Sequence, residues 1–314
     1  MEEFDVTRER TKGIVGIFIL ITVLFFIFII FAFYTVSQLK NTSDMSSDWM
    51  NSQANAAIAV IPVEGEIRES RKVIEMLLDA EKDKKIKAII IRVDSPGGAV
   101  GPTQEIYEEI RRIDEKKPIY SSFGTVAASG GYYIGAGTRR IYANSGTLTG
   151  SIGVIMQLTD LSELFKFAKV KQETVKAGRY KDIGSPSRSM TEEERALLTD
   201  LLADTHKKFR EDITAVRGDR LKIDINELAQ GQIFSGDQAV KAGLVDEIAG
   251  LWKAGRAIHK ELKLEGEFGM RFFKPRRDKV SFADLLSGGE EALSFIKHKF
   301  SGVSAPSYLY QPAQ

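Results

Sequence analysis

No cysteine occurs in the 314 residues, so disulfides, a thiol nucleophile and cysteine-ligated metal are excluded. Histidine is almost as scarce: His206, His259 and His298 are the only three, and no His-Glu-x-x-His or comparable spacing offers a metal site. Excess charge of either sign is also missing. With 44 basic residues against 43 acidic ones the net charge is +1, and nothing in that balance points to nucleic acid or a polyanionic substrate. The chain is not poor in apolar residues, which make up 43% of it, enough for a substantial core.

The apolar content is unevenly spread. Gly13 to Val36 forms a run long enough to cross a hydrocarbon core of roughly 30 Å as a helix. Arg8, Arg10 and Lys12 precede it and only Lys40 follows soon after, so the positive-inside rule puts residues 1–12 in the cytoplasm and the rest outside. A cleaved signal peptide fits less well, because the run exceeds a usual h-region of about 7–15 residues. The A-x-A match at Ala54-Asn55-Ala56 also lies too far downstream. The expectation is a single-pass anchor over 13–36, a polar tether over 37–56, an extracytoplasmic domain over 57–301 and a loose tail over 302–314.

Within the domain, Ile58 to Ile61, Ile86 to Val93 and Ile119 to Phe123 read as strands, with helices over Arg71 to Ala80 and Thr103 to Ile113 between them. Near-continuous apolar strands alternating with helices predict parallel strands covered by helices, an α/β fold. Further along, Thr191 with Glu194 forms a capping-box start for an amphipathic helix reaching Val216. Asp237 to Ala242 and Gly250 to Glu261 read as helices around a short strand at Leu244-Val245.

Three segments can carry chemistry. Asp94-Ser95-Pro96-Gly97-Gly98 closes a strand, and its paired glycines leave backbone N–H groups unobstructed; it is either an ordinary turn or an oxyanion site with Gly98 as donor. Ser129, in Val126-Ala127-Ala128-Ser129-Gly130-Gly131-Tyr132-Tyr133, stands where a helix would begin, as a cap or as a nucleophile with small neighbours. All three histidines fall in charged surroundings and read as surface residues, so a triad has no support and a lysine is the alternative base. Lys181 stands out among many because it lies in a Gly- and Pro-bounded loop, Gly178 to Pro186, although a surface lysine is the default reading. Asp182 must point elsewhere, since a carboxylate aimed at the amine would favour its protonated form.

Together these segments resemble the short bacterial signal peptide peptidase A family, membrane-anchored serine proteases with a fold like that of the Clp protease subunit and the crotonases, built of repeated β-β-α units. The matching features are Asp94 to Gly98, Ala128 to Tyr133, Leu148-Thr149-Gly150-Ser151-Ile152-Gly153-Val154, Tyr180-Lys181-Asp182 with Ser185-Pro186, and Ala242-Gly243-Leu244-Val245-Asp246. The resemblance implies that Ser129 attacks the peptide carbonyl, Lys181 takes its proton, Ser151 orients the amine, and the N–H groups of Gly98 and Gly130 hold the oxyanion. It implies no cofactor and no metal. It also implies a dome- or ring-like homo-oligomer, an octamer, on the outer face of the bilayer, with each site completed by neighbouring copies. The substrates implied are signal-peptide remnants and other unfolded apolar peptides, with no nucleic acid. Gln232 departs from the basic residue expected there. The tail from Ser304 to Tyr310 is extended enough to occupy its own active site or be trimmed by it. A non-catalytic or crotonase-like membrane scaffold of the same fold is the alternative.

Overall fold

The computed structural model describes residues 22–31, 34, 56–275 and the backbone of 307–309. The chain divides into two units, Met1–Ala54 and Asn55–Gln314. In the first, residues 22–31 are helical (α1) with exposed apolar side chains. Among the described residues no helix is long and apolar enough to cross a membrane. Of the anchor expected over 13–36, residues 13–21, 32, 33, 35 and 36 lie outside the described residues.

The second unit is built on a mostly parallel sheet, as the apolar runs predict. Strands β1 (Ile58–Glu64), β2 (Ala88–Ser95) and β4 (Ile119–Ala128) pair in parallel side by side. The sheet continues past β4 to β6 (Leu148–Gly150) and β7 (Ile233–Ser235), and past β1 to β9 (Met270–Phe272). At its other branch β5 (Ile141–Ala143) pairs with β4 and with β8 (Glu247–Ile248). Successive residues of a strand face opposite sides, so each strand feeds two cores. Ile61, Ile89, Ile91 and Phe123 pack with α2 (Arg71–Lys82), α3 (Val100–Asp114) and α4 (Gly130–Ala136). Ile58, Val60, Ile90 and Tyr120 pack on the other face with α9 (Leu251–Glu261). Each fully buried Ile contributes about 1.5–3 kcal/mol relative to exposure, which is why apolar residues occupy both faces.

Two local details aim the chain. The register of β2 against β4 shifts, from Val93↔Phe123 to Ser95↔Ala127, so β4 spends more residues than β2 over that stretch. The Asp94 carboxylate fills the irregularity, accepting the Val126 N–H at 3.1 Å, and a side chain at Gly124 would meet that carboxylate at 2.7 Å. The motif aspartate thus shapes the end of β4 that leads into Ser129.

Helix α6 (Glu192–Arg217) has the expected capping box at Thr191 and Glu194, and ends at its predicted place within a residue. Apart from Glu194, its buried residues are Phe209, Asp212, Ile213 and Arg217, all in the second half. The first half therefore projects, together with α5 (Ser162–Phe167), which buries no residue. The predicted strand at Leu244-Val245 is instead a buried turn after α8 (Gly236–Ala242): both N–H groups donate to the Ala239 carbonyl, and pairing resumes only at Glu247. The tail expected to be loose contains β10 (Ser307–Leu309), which pairs antiparallel with β3 (Gly97–Ala99).

Candidate active site

Strand β4 stops at Ala128 because Ser129 adopts φ 52°, ψ −116°, a conformation non-glycine residues rarely hold. Holding it there costs on the order of 1–3 kcal/mol, which the surroundings must over-determine. They do so from both sides. The Ser129 N–H donates to the Gly150 carbonyl at 2.8 Å, and its own carbonyl accepts the Tyr133 N–H at 2.9 Å as α4 begins. Gly131 packs so closely on β2 that a side chain would sit 2.8 Å from the Ser95 carbonyl oxygen. This sharp strand-to-helix turn presents a hydroxyl at the head of the helix. Ser129 is 1% exposed, and its Oγ has no hydrogen-bond partner.

The two tyrosines after it anchor α4. Tyr132 Oη donates to the Leu244 carbonyl at 3.1 Å, and burial pushes its phenol up to about 12. Tyr133 donates to Asp212 on α6 and stacks on Phe209 with centroids 4.5 Å apart.

Gly98 lies on the short strand β3, and backbone alternation decides which way it faces. Ile67 N–H donates to the Gly97 carbonyl at 2.8 Å, and Ala99 N–H donates to the Ile67 carbonyl at 2.7 Å. Those two β3 groups thus point towards residue 67, and the N–H and carbonyl of Gly98 point the opposite way. That opposite edge is where β10 pairs, with Tyr308 in register with Gly98. Glycine is required because a Cβ at 98 would lie 2.1 Å from the Ile67 oxygen.

Ser151 follows Gly150, whose φ of 80° ends β6, and itself sits at φ 50°. It is 8% exposed, and its N–H donates to the Gln232 carbonyl at 2.8 Å. The Ser129 N–H bond to Gly150 makes Ser129 and Ser151 near neighbours. Gln232, the residue that departs from expectation, serves here through its backbone, while its side-chain oxygen accepts the Gln230 N–H at 2.9 Å.

Lys181, unlike the buried Ser129 and Ser151, is exposed. It occupies an exposed turn of the projecting arm, its N–H donating to the Gly178 carbonyl at 3.2 Å, and among the described residues no hydrogen bond joins it to Ser129 or Ser151. Ser129, Gly130, Gly98 and Ser151 are thus grouped around the head of α4, while Lys181 is exposed and makes no hydrogen bond to them among the described residues. Asp182 does point elsewhere: its carboxylate is held by Arg188 and by Lys176, with Arg188 Nε at 2.9 Å and Nη2 at 2.8 Å. Arg188 first, then Lys176, keep it well below the usual carboxylate range.

The histidines differ from the surface reading. His206 is half-buried, and burial, aided by the Arg210 charge and opposed by backbone hydrogen bonds to Ile152 and Ala229, lowers its pKa. His259 stands edge-on to Phe268 at 5.9 Å with a buried Nε2. His298 lies outside the described residues. No group of three or more His, Asp or Glu side chains suited to a metal occurs among the described residues.

The chain belongs to peptidase family S49, whose sequence pattern matches residues 111–265, a stretch containing Ser129, Gly130, Ser151 and Lys181 but not Gly98. It is 42% identical over 193 residues to a protease of Synechocystis sp., spanning 61% of this chain and 69% of that protein. It is 34% identical over 253 residues to a signal peptide peptidase SppA of Enterococcus faecium, covering 76% of this chain and 72% of the relative. A chloroplastic serine protease SPPA of Arabidopsis thaliana is 32% identical over 70% of this chain, which spans 32% of that longer protein. The protein is a serine peptidase.

Proposed function

We propose that the protein is a membrane-anchored endopeptidase for extended, apolar peptides, in which Ser129 is the nucleophile and Lys181 of a neighbouring copy is the general base. The observation that carries this reading is the β3 edge. Beside a buried, unpartnered serine hydroxyl, Gly98 turns its N–H towards a position where an antiparallel strand, β10, pairs with it. A substrate added as a strand in the same way would place a carbonyl at the Gly98 N–H, with Gly130 N–H as second donor at the head of α4. Ser129 Oγ attacks that carbonyl as its proton passes to the neutral Lys181 amine, which Ser151 orients. The C–N bond then breaks, the proton passes to the leaving amine, and water hydrolyses the acyl-serine.

The placement of Lys181 on a projecting arm supports completion of the site between copies. So do the exposed apolar side chains of that arm, among them Phe167 at 86%, Val175 at 95% and Leu201 at 47%. They suit a dome- or ring-like homo-oligomer such as an octamer. The name of the Enterococcus relative supports signal-peptide remnants as substrates, and the 13–36 run supports a bilayer anchor with the domain outside the cytoplasm.

The test uses the full chain in detergent and an apolar fluorogenic peptide. Ser129→Ala and Lys181→Ala are each expected to be inactive, and mixing the two after dissociation is expected to restore part of the activity. Inactive single variants that never complement would place both residues in one chain; a fully active Lys181→Ala would remove it as the base.

A further inference from the structure

The loop that carries Lys181 is held by ion pairs instead of a hydrophobic core. Arg188 stands at its centre. One edge of the guanidinium meets Asp182, through Nε–Oδ2 at 2.9 Å and Nη2–Oδ1 at 2.8 Å. The other meets Glu194, through Nη1–Oε2 at 2.8 Å and Nη2–Oε1 at 2.6 Å. Glu194 is itself fixed, because its carboxylate also accepts the Thr191 N–H at 3.0 Å in the capping box of α6. The planar fork therefore ties the residue after Lys181 to the first turn of a 26-residue helix.

We propose that Arg188 is a positioning residue for Lys181, holding the neighbouring Asp182 carboxylate away from the lysine amine while pinning the loop to α6. The proposal rests on the reading of Lys181 as the base. The charges around the pair come from every packed element: Lys176 and Asp182 from the loop, Arg188, and Glu194 from α6, with Arg179 and Tyr180 paired to Glu193 on the outer side. In that set the two carboxylates facing Arg188 are balanced by Arg188 and Lys176. Removing Arg188 leaves one negative charge uncompensated beside Lys181 and leaves Asp182 with Lys176 as its remaining ion-pair partner. The extra negative charge favours a protonated lysine, which is the wrong form for a base.

A lysine at 188 would keep the charge but cannot present two parallel donors to each carboxylate, so it separates charge from geometry. Asp182→Asn removes the competing charge while keeping an acceptor for Arg188.

The experiment compares wild type, Arg188→Gln, Arg188→Lys, Asp182→Asn and Arg188→Gln/Asp182→Asn as full chains in detergent. Two readouts are taken across pH: kcat/KM on the fluorogenic peptide, and the rate at which a small acylating reagent modifies Lys181, followed by mass spectrometry. Arg188→Gln is expected to move the alkaline rise in kcat/KM and the midpoint of Lys181 modification upward together, by about half a pH unit or more. The double variant is expected to return both midpoints towards wild type, because the competing carboxylate has gone. Unmoved midpoints in Arg188→Gln, or a double variant that stays shifted, would overturn the proposal. If Arg188→Gln fails to fold, Asp182→Asn and Arg188→Lys still decide it. Asp182→Asn should leave the modification midpoint at or below that of wild type, and a rise would overturn the proposal; Arg188→Lys should lower kcat/KM relative to wild type, and wild-type kcat/KM would overturn it equally. The modification readout does not depend on activity, so an active Lys181→Ala would sink the base assignment while leaving the clamp testable.

Discussion

The head of α4 and the projecting arm hold candidate catalytic groups by opposite means. Around Ser129 the polypeptide is buried, tied by backbone hydrogen bonds, and closed by glycines where any side chain would collide with neighbouring backbone. Around Lys181 the chain is exposed, and its order comes from Arg188, Asp182, Glu194 and the α6 cap. The first region is preorganised by packing, which pH and salt hardly alter below the unfolding threshold. The second is preorganised by charge, and its part-buried ion pairs are lost as their carboxylates are protonated. A peptidase assembled from both would keep its nucleophile fixed and make its base conditional.

The largest expected effects break the rigid side. Gly98→Ala would force a Cβ to within 2.5 Å of the Ile67 backbone nitrogen, so β3 must shift and the Gly98 N–H must leave the oxyanion position proposed for it. Loss of one such donor costs about 100- to 1,000-fold in kcat, measurable with the peptide assay while the melting temperature reports any wider damage. Next comes the anchor beneath α4. Arg217 is fully buried, bonded to Asp246 at 3.0 Å and to the Gly243 carbonyl at 3.0 Å, and Asp246 also accepts the Ile141 N–H at 2.7 Å. Asp246→Ala leaves a buried charge unpaired and is expected to destabilise the domain by about 3–5 kcal/mol in urea unfolding.

A smaller effect sharpens the contrast by pH. The Arg188 guanidinium, followed by the Thr191 N–H, holds Glu194 down to about 2 from an ordinary 4.5. A carboxylate depressed on folding contributes its stabilisation fully above the ordinary value and loses it as pH falls towards the depressed one. Acidification from about 5 to 2 is therefore expected to loosen the arm before the sheet. Hydrogen exchange at pH 3 should show faster amide exchange over 178–195 than at pH 6.5, after correction for intrinsic rates, with β1, β2 and β4 still protected. Equal protection in both regions would mean the arm does not depend on these ion pairs.

Much of the rigid side was legible in the amino-acid sequence because its signals are local. Apolar runs mark β1, β2 and β4, and Thr191 with Glu194 marks the start of α6. The small-residue stretch around Ser129 marks a strand-to-helix junction. The extension of β4 to Ala128 was not legible, since Gly124 and Thr125 interrupt the pattern and the pairing there depends on Leu148 and Ser95, both distant in sequence. Leu244-Val245 carried a strand composition, but two N–H groups converging on Ala239 made it a turn. Arg188 left a faint trace, a guanidinium six residues from each of two carboxylates, indistinguishable from a solvated charge run until the loop was folded. The pairing of 307–309 with β3 is non-local and leaves no periodicity at all.

The smallest expected effect tests whether charge on the arm matters everywhere or only at the clamp. Lys166 and Glu163 form an ion pair on α5 at 2.8 Å, with both side chains more than 70% exposed. Arg188, Asp182 and Glu194 form theirs with exposures of 32%, 12% and 5%. Water screens the first pair, and the long side chains lose rotamer freedom to make it, so Lys166→Ala should leave both the urea unfolding midpoint and kcat/KM unaltered. The same charge removed at position 188 should move both activity and its pH profile. If Lys166→Ala lowered activity as much as Arg188→Gln, net charge on the arm would govern activity, acting on assembly or on substrate approach, and the specific geometry at Asp182 would not be the reason.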